Sequence, residues 1–493
     1  MKSDLVIVYH RQPYEEVEID GKIELRENSS PNGIVPTLKS FFGRVDHASW
    51  VAWKYADDPA NPDFDRVIDI NDSYGSYSVS RLPLTKEQVS SFYHVSSKEA
   101  FWPILHGFKE RYNYDPVDWP TFRQVNWAFA EAAAAQATDD AVIWVHDYNL
   151  WLVPAYLRQL KPNARIAFFH HTPFPNPDLF NVLPWREEII KSLLQADAVG
   201  FHIPRYSNNF KAVARSLTSS KTIDETVTSD EMSPRGMALS ERMTVRAIQH
   251  HDHKVIVDTS PVGVDTDYIA ECVAAPQVDE KVDEIRADLG DCKLIVSVSR
   301  TDYTKGNIEQ LEAFERLLSN RPDLHGKVRL MHVSVGANRN MTAYEEIQQR
   351  IEELTGRING TYGSFEWQPV ALISTAIPFA ELVAYYRAAD VAWITPLADG
   401  LNLVASEFCA ARSDNEGVLV LSEFAGTAVL LDGAIPVNPF SHASMDSGIE
   451  QALSMDPIEA RDRMQRLRNR VARFDINAWV KSQVELFDRL RQR

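Results

Sequence analysis

The sequence predicts two doubly wound α/β domains, and three observations carry that prediction. Short runs of apolar, β-branched residues recur along the whole chain, each separated from the next by a stretch long enough for a helix. The runs are continuously apolar rather than alternating, as expected of strands buried on both faces of a parallel sheet. The pattern is laid down twice over 493 residues, a length that calls for more than one domain at roughly 100–200 residues each.

Taken in order, the first half carries apolar runs at 5–10, 141–147, 165–171 and 198–202, and the later runs fall at 254–261, 293–300, 327–335, 391–397 and 417–424. An alanine-rich segment at 122–137, followed by Thr-Asp-Asp, reads as a helix. So does 307–318, where Ile308, Leu311, Phe314, Leu317 and Leu318 share one face. The turn-rich stretch 259–265 follows a strand and is the expected join, dividing the chain into a first domain over 1–258 and a second over 259–475. The closing segment 476–493 has helical periodicity over 476–490 and is expected to pack back on the first domain. Residues 218–240, rich in Ser, Thr and charge, read as a surface excursion.

Composition narrows the partners. Lys and Arg total 51 against 69 Asp and Glu, a net charge of −18. Such a surface repels a phosphate backbone, so no nucleic-acid partner is expected, and an anionic ligand requires basic residues to converge locally. Cys272, Cys292 and Cys409 are too few and too widely spaced for a disulfide framework or a metal pair, which fits a reducing cytoplasm. No apolar run approaches the roughly 18 residues of a membrane span, and the first residues enter a strand without a cleavage-site pattern. A cytoplasmic location with no membrane partner is expected. Nucleotide-fold, P-loop, zincin and nucleophile-elbow signatures are missing, and no metal-ligand cluster appears.

Ligands of open parallel sheets bind at the carboxyl ends of the strands, and the residues there carry chemistry. Arg300 and Lys305 bracket a turn after the run ending at Val298, a pairing suited to a dianion, although a solvated loop with two salt bridges would look the same. After 391–397 come Asp399 and Gly400 with a helix expected near Leu401. Its first-turn N–H groups can bind phosphate, Asp399 can equally cap that helix, and Glu407 lies two turns along it. Asp147 and His171 close two other runs and suit hydroxyl-rich substrates, whereas His170 reads as a buried, satisfied histidine. Trp50, Trp53, Tyr93 and Trp102 offer rings of the kind that stack on sugars, although such rings also build cores.

The segments HDYNLWLVP (146–154), FFHHTPFP (168–175), RTDYTKG (300–306), TGRINGTYG (355–363), ITPLADGLNLVASE (394–407) and LSEFAG (421–426) occur in the order seen in trehalose-6-phosphate synthases, and from about residue 5 to 485 the chain resembles that family. The resemblance implies a retaining glycosyltransferase of the glycosyltransferase B architecture, two Rossmann-like domains facing across a cleft, with acceptor bound by the first and nucleotide-sugar donor by the second. IVYHRQPY (7–14), SSPNGIVPTLKSFF (29–42), FYHVSSKEAFWPILHGF (92–108) and AVGFHIPRY (198–206) look most like the branch that moves glucose from ADP-glucose to sn-glycerol 3-phosphate. That branch makes 2-O-(α-D-glucosyl)-sn-glycerol 3-phosphate for a compatible solute, glucosylglycerol, and a separate phosphatase acts next. Glucose 6-phosphate is the alternative acceptor within the family.

The resemblance also implies roles. Arg300 and Lys305 match the donor-diphosphate clamp, and His171 and Asp147 complete the catalytic set. Gly33, Asp399, Gly400, Leu401, Asn402, Leu403, Val404 and Glu407 match donor-binding positions. Arg11, Tyr93, Trp102 and Asp147 match acceptor positions, with Arg339 as the remaining phosphate-binding arginine and Trp53 a weaker match. Ordinary family members carry Gly-Gly-Leu where this chain has Pro31-Asn32-Gly33-Ile34, an Arg where it has Ala398 and a Lys where it has Ser406, differences expected to alter acceptor choice. No tightly bound cofactor and no protein-held metal is implied, and a divalent cation on the donor diphosphate is the one candidate ion. A non-catalytic sugar-phosphate sensor would keep the fold, but the retained Arg300, Lys305, Asp399 and Glu407 favour an enzyme.

Overall fold

The computed structural model describes residues 2–19, 22–27, 33–336 and 342–492. Pro31, Asn32 and Arg339 therefore lie outside the described residues. Two large sheets organise the chain. The first has ten strands in the order Lys221–Val227, Met243–His250, His253–Thr259, Ala198–Phe201, Arg165–His170, Ala137–His146, Ser3–Val8, Ala48–Tyr55, Gly75–Leu84 and Val67–Asp72. The second has six, in the order Val370–Ile373, Val328–Val335, Lys293–Arg300, Val391–Ile394, Val418–Ser422 and Ile435–Val437, all parallel.

The first sheet corrects the expectation of a purely parallel one. Its interior is parallel, but Val67–Asp72 pairs antiparallel with Gly75–Leu84, and Lys221–Val227 and His253–Thr259 flank Met243–His250 antiparallel. Lys221–Val227 also corrects the reading of 218–240 as an excursion. Its sequence Lys-Thr-Ile-Asp-Glu-Thr-Val is mostly exposed, and charged, solvated side chains are what an edge strand uses to discourage further pairing. The alanine-rich helix runs Trp119–Gln136, three residues ahead of the expected start, because Asp118 caps the N–H of Thr121 and Pro120 fits the first turn. Ala137 already belongs to the next strand. The later helix runs Asn307–Asn320.

The last helix, Ile476–Arg491, lies on the first sheet. Trp479, Val480, Leu486 and Phe487 are buried in that sheet's core, with Trp479 stacked 5.4 Å from Trp144 and edge-on to Phe41 and Phe169. Buried Gln483 donates to Asp258 Oδ2 at 3.0 Å and to Ser260 Oγ at 3.1 Å, clamping the end of the chain to the segment that joins the halves. Gly263 in that segment touches the Asp475 backbone so closely that a Cβ would overlap it. The same parallel strand sense in both sheets sends the carboxyl ends of Ser3–Val8, Ala137–His146 and Arg165–His170 toward those of Lys293–Arg300 and Val391–Ile394, where the cleft opens.

No helix among the described residues is long and apolar enough to cross a membrane. Replacing Trp479 by Ala removes a fully buried ring and should cost about 3–5 kcal/mol of stability. A thermal melt followed by circular dichroism should show an earlier transition, and an unchanged melting temperature would mean that this helix does not anchor the first sheet.

Candidate active site

The cleft between the two sheets has a volume of about 520 Å³ and takes its walls from both halves of the chain. Arg11, just past the strand Ser3–Val8, donates from Nη2 to Tyr93 Oη at 3.2 Å. Tyr93 belongs to a π-helical segment, Ser90–Phe101, that leads into the short helix Trp102–Leu105. In a π-helix, bonding runs from i to i+5, and residues five apart come to one side. Tyr93 and Lys98 therefore face the cleft together, with the Lys98 Nζ 4.1 Å above the Trp102 ring and 5.8 Å from that of Tyr93. Burial, with help from the nearby Arg300 and Arg11 charges, brings the Lys98 ammonium down to about 8 against the opposing pull of Tyr93 and Asp302. Burial would raise the Tyr93 phenol, but Lys98 and Arg11 outweigh it and hold it below its ordinary value.

The opposite wall begins with Arg300 at the end of its strand, 6.0 Å from the Trp102 ring. Asp302 caps the turn Tyr303–Lys305 and accepts the Thr304 N–H at 2.9 Å. Its other neighbours come from across and beside the cleft: the Trp102 indole donates to Oδ1 at 3.4 Å and the Tyr344 hydroxyl to Oδ2 at 3.5 Å. Lys305 crosses to Asp399, Nζ to Oδ2 at 2.7 Å, and Asn402 Nδ2 reaches the same oxygen at 3.1 Å. Gly306 makes the crossing possible: its φ is +69° and a Cβ there would strike the Thr395 carbonyl. Burial alone would raise the Asp399 carboxyl, but the Lys305 charge and hydrogen bond, aided by Asn402, hold it below its ordinary value. The capping expected of Asp399 falls to Asn402, whose Oδ1 accepts the Ala405 N–H at 3.2 Å at the head of the helix Leu403–Ala411. That helix starts two residues later than expected.

Asp147 and His171 stand at adjacent strand ends. The His171 N–H donates to Asp147 Oδ1 at 3.3 Å, and the ring is hydrogen-bonded to His146 at 3.1 Å. Burial pushes the Asp147 carboxyl up to about 6, against the N–H groups of Tyr148 and His171 and the charges of Lys98 and Arg11. Burial together with its histidine neighbours holds His171 well below its usual value, so it is neutral. His170 is buried, its Nδ1 on the Thr172 carbonyl at 3.0 Å.

The cleft thus brings together Gly33, Arg11, Tyr93, Trp102, Asp147, His171, Arg300, Lys305 and Asp399, with Gly400, Leu401, Asn402, Leu403 and Val404. Glu407 is not in its wall. It is buried one helical turn further in, where it accepts the Tyr386 hydroxyl at 3.2 Å. Trp50 belongs to the core, its indole donating to the Arg11 carbonyl at 2.8 Å, and Trp53 lines a neighbouring chamber. Sequence reasoning missed Lys98, His106 and His202, which line the cleft, and Asp302 beneath it. Asp302 lies between the two flagged cations and was open to detection, whereas the others gave no spacing signal.

The model of glycosyltransferase family 20 matches residues 3–489. The chain belongs to this family. It is 50% identical over 480 residues to glucosylglycerol-phosphate synthase of a Synechocystis species, covering 97% of this chain and 96% of that one. It is 48% identical over 482 residues to the enzyme of the same name from a Picosynechococcus species, with the same coverages. Among solved structures, the α,α-trehalose-phosphate synthase (UDP-forming) of Burkholderia xenovorans in complex with glucose 6-phosphate superimposes with a TM-score of 0.83 at 27% identity, over 98% of this chain and 99% of that one. The two facing sheets are the glycosyltransferase B architecture.

In this family 20 chain the halves meet by backbone. Gly400 lies against the His171 carbonyl, where a Cβ would come within 2.5 Å, and the Tyr206 hydroxyl donates to the Asp399 carbonyl at 3.1 Å. The His202 ring donates to the same His171 carbonyl at 3.1 Å, fixing it in place. Gly400→Ala should therefore push the walls apart. A shift of about 1 Å can cost on the order of 100-fold in rate, so turnover should fall by that order while the melting temperature changes little. Full activity in the alanine variant would show that the close approach is not needed.

Proposed function

We propose that this chain transfers glucose from ADP-glucose to sn-glycerol 3-phosphate, with retention, giving 2-O-(α-D-glucosyl)-sn-glycerol 3-phosphate. The observation that carries the reading is the convergence of Arg11, Lys98 and Arg300 on one cleft: none of the three forms an ion pair within 4 Å among the described residues. Unneutralised cations facing one cavity suit two phosphate-bearing substrates. The identity of nearly half to the glucosylglycerol-phosphate synthases above supports the glycerol acceptor.

In this reading Arg300 and Lys305 hold the donor diphosphate, and the N–H groups at the head of Leu403–Ala411 add a partial positive charge. Gly33 and the backbone of 400–404 frame the donor, and Asp399, oriented by Lys305, meets the glucose hydroxyls. Arg11, Tyr93 and Trp102 hold the acceptor, with Asp147 accepting its hydroxyl proton as a hydrogen bond. Double displacement needs a free carboxylate nucleophile about 5–5.5 Å from an acid/base. The carboxylates in the described cleft wall are Asp147 and Asp399, and Asp399 is committed to Lys305 and Asn402. Front-face transfer fits better: the leaving phosphate oxygen takes the acceptor proton as the sugar–phosphate bond breaks and the glycosidic bond forms on the same face. The protein then contributes charge stabilisation and positioning. A divalent cation would ride on the diphosphate. The product's phosphate is removed by a phosphatase in a compatible-solute route, in the cytoplasm, where Cys272, Cys292 and Cys409 stay free thiols.

Mass spectrometry of products from ADP-, UDP- and GDP-glucose, each offered with glycerol 3-phosphate or glucose 6-phosphate, tests the reading. Glucosylglycerol phosphate from ADP-glucose is the expected result, and trehalose 6-phosphate alone would overturn it. Arg300→Ala should lower kcat on the order of 10²–10³-fold with an unaltered melt, and near-normal transfer would remove Arg300 from its role.

The Asp147 carboxyl predicts an acid limb. It is ionised only above about 6, so kcat/KM for glycerol 3-phosphate should fall as pH drops through that value. Asp147→Asn should reduce acceptor use more than donor affinity and abolish this limb, leaving only the slope of the substrate's own phosphate. Persistence of the full limb in the asparagine variant would assign it elsewhere.

A further inference from the structure

Resting on the acceptor reading above, we propose that Lys98 is the residue that sets acceptor length, by holding the phosphate of a three-carbon acceptor close to the reaction centre. Four observations converge. Lys98 lines the cleft, and its side-chain ammonium makes no ion pair or hydrogen bond among the described residues. Its ammonium sits 4.1 Å over the Trp102 ring and 5.8 Å from that of Tyr93, so it lies between two acceptor-side aromatics. It stands near enough to act on the charges of Arg11, Asp147, Arg300 and Asp302. Finally, the π-helical winding of Ser90–Phe101 is what turns it inward.

Acceptor chemistry then gives that position a purpose. In sn-glycerol 3-phosphate the attacking 2-hydroxyl and the phosphate are separated by two carbons and the ester oxygen. In glucose 6-phosphate the attacking anomeric hydroxyl is separated from it by most of a pyranose ring. A short acceptor whose hydroxyl meets Asp147 must leave its phosphate deep in the cleft, nearer Lys98. A longer one carries the phosphate outward. Two aromatic faces partly strip water from the ammonium, which strengthens its attraction to a dianion and leaves it poised to lose its proton near pH 8.

The groups facing Lys98 from every packed element are His10, Arg11, Tyr93, His94, Asp147, Arg300 and Asp302, with both histidines held below their ordinary value chiefly by burial. Of these, Asp147 titrates near 6, Arg11 is raised above its ordinary value, chiefly by Tyr9, and the Asp302 carboxyl, which burial would raise, is held below its ordinary value by Arg300 and Lys305. Tyr93, its phenol brought below the ordinary value, is the remaining group on the alkaline side, and a Tyr93→Phe control separates the two.

The test compares wild type, Lys98→Ala, Lys98→Arg and Tyr93→Phe. In Lys98→Ala the KM for glycerol 3-phosphate should rise on the order of 10–100-fold, the loss of one charge-assisted hydrogen bond. The KM for ADP-glucose should change far less, and any residual transfer to unphosphorylated glycerol should fall much less than transfer to glycerol 3-phosphate. Lys98→Arg should restore most of the acceptor affinity and move the alkaline limb of kcat/KM upward, whereas Tyr93→Phe, which removes a pull that raises the Lys98 ammonium, should keep the limb and move it to lower pH. Equal losses with glycerol and glycerol 3-phosphate, or a loss confined to ADP-glucose, would overturn the proposal.

Calorimetric titration of inorganic phosphate into the ADP-saturated protein separates this idea from the function it rests on. If wild type makes no glucosylglycerol phosphate yet Lys98→Ala still binds phosphate more weakly, the acceptor assignment falls and the phosphate contact stands. If phosphate binds both proteins alike, the Lys98 contact is refuted whatever the acceptor proves to be.

Discussion

An acidic protein that handles anions must keep a few cations unneutralised, and that constraint organises this molecule. At a net charge of −18 carboxylates outnumber cations, and several basic side chains elsewhere are held by them: Lys39 by Asp72, Arg316 by Asp446, Arg357 by Glu315. In the cleft, Arg11, Lys98 and Arg300 face cavity instead. Asp302 and Asp147 stand nearby, but Asp302 is occupied by Thr304, Trp102 and Tyr344. Under the proposed function a substrate phosphate supplies the missing counter-charge, and binding energy is available because no internal salt bridge has to break first.

Lys305 is the exception, and the exception is informative. Its bond to Asp399 costs part of its charge, yet it fixes the acid and the head of the helix Leu403–Ala411 through Asn402. The pair is partly shielded from solvent and held at both ends, so each partner has little freedom to reorganise during a reaction, which is the condition under which a fixed charge stabilises a developing one most effectively. In the proposed reaction the two kinds of cation divide the work: unpaired ones attract, and the paired one orients. Both depend on the halves approaching through backbone at Gly400 and His171, since side chains there would hold the walls apart.

Much of this was legible in the sequence, for a physical reason. Strands buried on both faces announce themselves as apolar runs, and the residue after each run sits at the carboxyl edge of a sheet, so Asp147, His171, Arg300, Lys305 and Asp399 could be picked out before any coordinates. What escaped has equally physical causes. The edge strands Val67–Asp72 and Lys221–Val227 are half-exposed, and exposed polar residues mimic loops. Lys98 lies in a stretch whose π-helical winding no 3.6-residue period describes, so its shared face with Tyr93 is invisible to periodicity. Glu407 falls on the expected helix, and its bond from the Tyr386 hydroxyl is a tertiary contact that the sequence spacing does not announce. The cap expected at Asp399 moved to Asn402 because a lysine distant in sequence claimed the aspartate, a tertiary effect that local propensity cannot contain.

Backbone strain marks the same place. Asp147 has φ of 70° and ψ of 166°, a region that glycine alone occupies comfortably, and Asn402 has φ of 80°. Such conformations cost on the order of 1–3 kcal/mol each and persist only where surroundings over-determine them. At Asp147 they do: its N–H donates to the Phe169 carbonyl at 2.9 Å, its carbonyl accepts the Leu150 N–H at 3.1 Å and its carboxylate accepts the His171 N–H. A relaxed backbone would swing the carboxylate away from the strand end. Glycine would relieve the strain but offer no carboxylate, so the chain carries an acid where backbone preference asks for none. At Asn402 a positive φ, with a different ψ of 92°, lets one side chain cap the helix and brace Asp399 at once. Both unfavourable torsions thus aim a polar group at the region between the two walls, and stability lost locally is the cost of having the reacting edge assembled before substrate arrives.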